Sequence, residues 1–209
     1  MPSATVICSS SAHPAWKVLE RWGRATLIQR PEEAAGGDLL FLVSCTDIVR
    51  KDVRQKYKHS LVLHAADLPK GRGWSPHIWQ VIEGRGDIVV TLLEAADTVD
   101  SGYIWLKETI HLQGHELYDE INELIFAAEL RLMDIAMDTF ATIVPQPQVG
   151  EPTYYRRRTP ADSRLDPKKT IAEQFNLLRV VDPDRYPAFF IINGVRYNIS
   201  IRKAGRDAN

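Results

Sequence analysis

Leu61-Val62-Leu63-His64-Ala65-Ala66-Asp67-Leu68-Pro69-Lys70-Gly71-Arg72-Gly73-Trp74-Ser75-Pro76 is an apolar run that stops at a histidine and passes into a loop of proline, glycine and arginine. Such a run reads as a buried strand with the imidazole at its carboxyl end, the edge at which open α/β sheets build their sites. A second apolar run, residues 88–93, leads to Asp100-Ser101-Gly102. If the two strands are neighbours, His64 and Asp100 face each other across a cleft although 36 positions separate them (100 minus 64). Each has a plain reading taken singly: a strand-end histidine bonded to backbone, and a turn-forming aspartate. Together they are the minimal equipment for moving a proton during group transfer, and the pair reads as catalytic.

Outward from this stretch, strand and helix patterns alternate. Residues 4–8 read as a strand ending in Ser9-Ser10-Ser11. His13-Pro14 opens a helix to about Trp22, because proline's missing N–H has no helical partner in the first turn. His13 is expected to be a loop residue without chemistry. The serines offer an anion seat at the helix start, but with no GxGxxG pattern a capping loop is the better reading. Residues 26–29 and 39–43 read as strands, the latter with the continuous apolar character of a parallel sheet covered on both faces. Residues 48–57 alternate at helical spacing and make Lys51, Arg54 and Lys56 a solvated helix face.

A helix over residues 77–83 and paired strands over 88–93 and 103–110 follow, with Trp74 and Trp79 as apolar walls. Leu117, Ile121, Leu124, Ile125, Ala128, Leu132, Ile135, Ala136 and Phe140 then recur every three or four positions, the core stripe of a long helix. The repeated order predicts an α/β, Rossmann-like open sheet. His111 and His115 are four apart, but one falls at a strand end and the other at a helix start, with no third ligand; no metal site is expected.

The 209 residues suffice for a full core, and the formal net charge of −1 provides no field that would recruit nucleic acid or membrane. Cys8 and Cys45 lack CxxC or metal spacing and read as reduced thiols. No signal core is evident, and no apolar run approaches the ~20 residues of a membrane span, so the cytoplasm is the expected location.

Residues 145–152 are rich in proline and read as a linker, dividing the chain into a body, 1–144, and an annex, 145–209. Three consecutive arginines, Arg156-Arg157-Arg158, more often make a solvated loop than a site. The alternative is that they grip a phosphate or diphosphate through forked donors while Tyr154 or Tyr155 stacks on a base. Residues 188–192 and 195–201, joined by Asn193-Gly194, carry the signal of a hairpin with a type I′ turn. Its outer edge offers a surface for a homodimer.

The motifs resemble the formyltransferase family that uses 10-formyltetrahydrofolate. The family pattern is Asn-x-His, then Leu-Pro-x-x-Arg-Gly, then Asp-x-Gly. It is matched in order by His64, by Leu68-Pro69-Lys70-Gly71-Arg72-Gly73 and by Asp100-Ser101-Gly102. Val62 stands where the family has its asparagine, which hydrogen-bonds the formyl oxygen. The Arg158-Thr159-Pro160-Ala161-Asp162 segment, with Asn176, Arg179 and the hairpin, is similar to the sugar-nucleotide N-formyltransferase branch. The wording around His64 is similar to that branch's compact pseudaminic-acid-pathway type.

The resemblance implies a formyltransferase sheet shortened at the amino terminus, with a small helix-plus-hairpin annex. It implies 10-formyltetrahydrofolate as formyl donor and the amine of a nucleotide-linked amino sugar as acceptor. His64 and Asp100 would be catalytic. Leu93, Glu94, Ala95, Ala96, Asp97 and Thr98 would hold the donor; Lys70, Arg72, Tyr155, Arg157, Arg158 and Asp162 would hold the acceptor. Two alternatives stay open: formylation of a carrier-bound amino acid, and a non-catalytic relative that binds a sugar nucleotide.

Overall fold

A computed structural model describes residues 2–205. The chain forms β1 (Ala4–Ile7), α1 (Pro14–Trp22), β2 (Thr26–Ile28), β3 (Gly37–Leu42), α2 (Lys51–Arg54), β4 (Tyr57–His64), β5 (Arg72–Gly73) and α3 (Pro76–Ile82). It continues through β6 (Asp87–Glu94), β7 (Ile104–His111), α4 (Tyr118–Thr139), β8 (Tyr154–Tyr155), α5 (Ile171–Val180), β9 (Ala188–Ile192) and β10 (Val195–Ile199). Six strands make one sheet in the order β2-β1-β3-β4-β6-β7. The first four are parallel, β6 is antiparallel to β4, and β7 is antiparallel to β6, so only β6 runs against the rest. This is the expected Rossmann-like α/β sheet.

Strand periodicity sorts the apolar residues onto the two faces. Val6, Leu39, Phe41, Leu61 and Leu63 pack under Ala15 and Leu19 of α1 and under α4. Ile7, Leu40 and Leu42 point the other way, against Val49, Val53 and Tyr57. Within α4 the expected stripe holds at Ile121, Ile125, Ala128, Leu132 and Ala136, while Leu124 and Ile135 turn outward at 38% and 45% exposure. Phe126, Met133 and Met137 are buried in their stead, because the 3.6-residue period rotates a long helix gradually past a strict three-four spacing.

Three local expectations are corrected. The helix expected over residues 48–57 is only the single turn of α2, with Ile48 exposed. Its basic residues are not simply solvated: Arg54 bonds the Ala95 carbonyl at 2.8 Å and pairs with Asp97, and Lys56 bonds the Ala34 carbonyl at 3.0 Å. His13 is not an idle loop residue. Its Nδ1 accepts the Ala15 N–H at 3.2 Å and caps α1, while its ring lies edge-on to Phe126. Burial pushes that imidazole down to about 4. The hairpin follows its signal, with Asn193 and Gly194 at φ 51° and 77° between β9 and β10.

The largest correction concerns β6. Leu61 pairs with Glu94 and His64 with Thr91, so the carboxyl end of β6 lies beside the middle of β4 and not beside His64. The two strand ends are therefore not adjacent. The loop after β6 carries Asp100 back, and it does so through Gly102, where a Cβ would fall 1.8 Å from the Glu94 carbonyl oxygen. Among the described residues no helix is long and apolar enough to cross a membrane.

Two outcomes follow from this packing. Gly102→Ala forces the return loop off Glu94 and costs about 3 kcal/mol or more in urea unfolding. Glu129 is buried on the core side of α4, and burial pushes its carboxyl up to about 8. From about pH 4.5 to 8 the unfolded state loses this proton and the folded state keeps it, so wild-type stability falls with rising pH over that window. Glu129→Gln removes the loss. Unfolding curves should show the variant more stable by on the order of 2–4 kcal/mol at pH 8 and nearly equal to wild type at pH 4.5.

Candidate active site

β4 delivers His64 to the edge of the sheet, where the chain breaks into the loop from Ala65 to β5. The loop carbonyls are held from below and from both sides. Gln80 donates to Ala65 at 2.8 Å, Thr91 to Ala66 at 2.7 Å, and Lys107 to Leu68 at 2.9 Å while also pairing with Asp67 at 2.5 Å. The Leu68–Pro69 peptide is cis. Gly71 and Gly73 take φ of 78° and 100°, which β-carbon sterics deny most residues. At Gly73 a side chain would also collide with the Tyr155 carbonyl, 2.4 Å from the position of a Cβ.

That fold of the loop bends Gly71 back under the imidazole. His64 Nε2 donates to the Gly71 carbonyl at 2.8 Å. Nδ1 then faces Asp100 Oδ2 at 3.6 Å, with the two side chains only 7% and 8% exposed. The same Oδ2 accepts the Gly73 N–H at 2.8 Å. A carbonyl can only accept, so Nε2 carries a proton and the neutral ring presents its lone pair to a carboxylate. One further proton between Nδ1 and Oδ2 relieves that repulsion, giving either imidazolium with carboxylate or neutral ring with carboxylic acid. Asp100 sits at φ 53°, an uncommon conformation for a residue with a Cβ.

Val62, two residues before His64 on the same face of β4, packs against the core cluster on that side of the sheet, as Cys45 and Ala95 do, and supplies no polar side-chain atom. Leu93 is fully buried in the sheet. Glu94, Ala95, Ala96 and Asp97 line a cavity of about 470 Å³ together with Lys51, Arg54, Lys58 and His59. Thr98 is exposed and accepts from Ser101 Oγ at 2.8 Å, tightening the turn before Asp100. A larger cavity of about 730 Å³, bordered by the starts of α1 and α4 and the end of α5, includes none of the predicted site residues.

The residues expected to hold an acceptor divide into two groups. Tyr154-Tyr155 forms β8 beside Arg72-Gly73, which draws Arg72 and Tyr155 to the loop that follows His64. Arg72 donates to Gln148 at 2.7 Å and to the Tyr154 hydroxyl at 3.3 Å, and its Nε is buried with no partner. Tyr155 stacks parallel to Trp79 at 6.3 Å and donates to Glu83 at 2.7 Å; burial, with that carboxylate, pushes its hydroxyl up to about 12.

The second group lies beyond the tryptophans. Arg157 sits over the Trp74 ring at 4.7 Å, and Arg156 over Trp79 at 4.8 Å. Arg158 donates to Ser163 Oγ at 3.2 Å, and its Nε is also buried without a partner. Asp162 accepts from Arg156 at 2.8 Å and caps the turn at the Thr159 N–H at 2.7 Å; the Arg156 guanidinium holds its carboxyl well below the usual range. Lys70 is exposed at the loop tip.

Sequence reading passed over Thr153 and Gln148. Thr153 Oγ1 accepts the Gly71 N–H at 2.9 Å. Gln148 donates to the carbonyls of Asp100 and Gly102 at 2.8 and 2.9 Å. Gln148 lies in the proline-rich segment and Thr153 just after it; the segment also bridges β7 through Ile104 and Gln146. A polar residue in such a segment carries no local signal of a distant partner.

A sequence model of the family described as formyl transferase matches residues 14–136. Methionyl-tRNA formyltransferase of Thermodesulfovibrio yellowstonii is 29% identical over 149 residues, which are 70% of this chain and 48% of that protein. The chain thus spans about half the length of that curated relative. Among solved structures, methionyl-tRNA formyltransferase from Clostridium thermocellum superposes with a TM-score of 0.81 at 21% identity, covering 98% of this chain and 95% of that one. HypX from Aquifex aeolicus in complex with tetrahydrofolic acid gives 0.76 at 18%, covering 96% and 37%. A sugar N-formyltransferase from a Shewanella species gives 0.73 at 13%, covering 98% and 99%. The structural likenesses agree on the fold, and the sequence match extends over more than half of the residues, through His64 and Asp100: this chain belongs to the formyl transferase family.

Proposed function

We propose that the protein is a cytoplasmic N-formyltransferase that moves a formyl group from 10-formyltetrahydrofolate to the amine of a nucleotide-linked amino-deoxy sugar. The observation that carries this reading is the buried His64–Asp100 pair at the sheet edge of a member of the formyl transferase family. As the new C–N bond forms, the attacking amine must lose a proton; as the old one breaks, the departing folate nitrogen must gain one. Asp100 takes the first proton and returns the second, so the pair ends as it began. His64 balances the charge on Asp100. With Nε2 committed to Gly71 and Nδ1 facing the carboxylate, the imidazole serves Asp100 and does not reach for the formyl oxygen.

Tetrahydrofolate bound to one structural relative supports a folate donor. In this reading the donor lies along the cavity formed by Glu94, Ala95, Ala96 and Asp97, and the turn through Thr98 joins that cavity to Asp100. Folate supplies the formyl group; binding, orientation and proton handling fall to the chain. For the acceptor, Arg158 retains an unused buried donor, and Arg157 lies against an exposed tryptophan. A diphosphate with an attached base and sugar matches that set of forked donors and apolar faces. The sugar N-formyltransferase among the fold relatives points the same way. The curated relative raises an aminoacyl-tRNA acceptor instead, but a net charge of −1 is poor equipment for a polyanion.

The decisive experiment offers the protein 10-formyltetrahydrofolate with UDP-, dTDP- or GDP-linked amino sugars and, in parallel, methionyl-tRNA. The expected product is a sugar nucleotide heavier by one CO, seen by mass spectrometry, with the tRNA unmodified. Asp100→Asn lowers kcat by about 100-fold or more with little change in KM. Formylation of the tRNA alone, no product with any sugar nucleotide, or full turnover by Asp100→Asn would each remove the proposal.

A further inference from the structure

We infer that Gln148 is the positioning residue for Asp100, and that through it the segment following the main sheet completes the catalytic pair. The inference rests on Asp100 as the proton carrier and adds what holds it in place. Four bonded steps close a ring. Gln148 Nε2 donates to the Asp100 carbonyl at 2.8 Å and to the Gly102 carbonyl at 2.9 Å. Gln148 Oε1 accepts from Arg72 at 2.7 Å. Arg72 is covalently joined to Gly73, and the Gly73 N–H returns to Asp100 Oδ2 at 2.8 Å. Segments that are 27 and 48 positions from Asp100 thus meet on that one residue.

The ring fixes the orientation of the amide. Flipping Gln148 would set its oxygen against two carbonyls and its NH2 against a guanidinium, so both ends specify the same rotamer. It also accounts for a backbone that would otherwise relax. Asp100 is left-handed at φ 53°, a state that persists only when its surroundings over-determine it. The two carbonyls that must converge for this turn to form, those of residues 100 and 102, converge on the two hydrogens of one amide. If the amide is removed, the carbonyls of residues 100 and 102 lose the donor on which they converge, the turn keeps only the Ser101–Thr98 bond and the Gly73 N–H, and Oδ2 shifts away from Nδ1 of His64.

Gln148 reaches no reacting atom, so its effect is expected on the pair and on turnover, with binding spared. Gln148→Met keeps the size and loses both polar ends; Gln148→Asn keeps the amide but draws it back by one methylene and serves if the methionine variant does not fold. Histidine-selective NMR follows the His64 ring signals of the full chain between about pH 5 and 9, a readout independent of the acceptor. Asp100→Asn sets the full effect of losing the carboxylate.

Gln148→Met should change the pH response of the ring in the same direction as Asp100→Asn, by at least half as much. On turnover it should lower kcat by about 10- to 100-fold, with the KM for the formyl donor within a few-fold of wild type. A His64 response in Gln148→Met identical to wild type, while Asp100→Asn alters it, overturns the positioning role and leaves the enzymatic reading intact. No effect of Asp100→Asn itself overturns the coupling of the pair and, with it, both conclusions. A loss of kcat that merely tracks a loss of folded protein in thermal melts also counts against the role.

Discussion

The approach of Asp100 to His64 depends on a chain reversal between β6 and β7. β6 runs against its neighbours, so its exit lies level with the middle of β4 rather than with the imidazole. A carboxylate placed directly at that exit would be several residues from its partner. The return loop closes the distance only because Gly102 passes so near the Glu94 carbonyl that no side chain fits between them. Close backbone contact there is what allows two strands of opposite direction to serve one site.

From that contact outward, the site is built mostly of backbone groups held by side chains. The Gly71 carbonyl sets the tautomer of His64, and the Gly73 N–H holds the carboxylate. Both glycines are fixed in turn by Thr153 and by the pairing of β5 with β8. Gln80, Thr91 and Lys107 anchor three successive parts of the loop that leads there. His64 and Asp100 thus sit in a frame of backbone groups that other side chains hold in place. Residues 146–155 contribute to this frame through Gln146, Gln148, Thr153 and the pairing of β8 with β5.

The arginine-rich segment is more ordered internally than a solvated loop and less committed than a closed ion-pair network. Arg156 is consumed by Asp162 and the Trp79 face, whereas Arg158 retains an unpartnered buried Nε. An unused buried donor is costly to keep, and such groups recur where a ligand later completes the bonding. Asp162, expected to touch an acceptor, has its oxygens engaged by Arg156 and Thr159 in the structure. Arg72, expected in the same role, is drawn inward by Gln148 and Tyr154.

Much of the architecture was legible in the residues alone. Continuous apolar runs at β3 and β4, proline at the first turns of α1 and α3, the periodic stripe of α4 and Asn193-Gly194 in the hairpin are local patterns. Each follows from side-chain spacing or backbone sterics within a few positions. His64 and Asp100 were visible for the same reason, as polar residues ending apolar runs. Strand direction is different, because an apolar run over residues 88–93 reads alike whether it lies parallel or antiparallel to its neighbour. The sequence by itself therefore determined where the strands and helices lie and which polar side chains end the apolar runs. Only the tertiary structure decided the reversal of β6, the bond from His64 Nε2 to Gly71 that turns Nδ1 toward Asp100, and the meeting of Gln148, Arg72 and Asp100. Those are contacts set by the path of the chain between elements, and no local propensity encodes the partner of a glutamine.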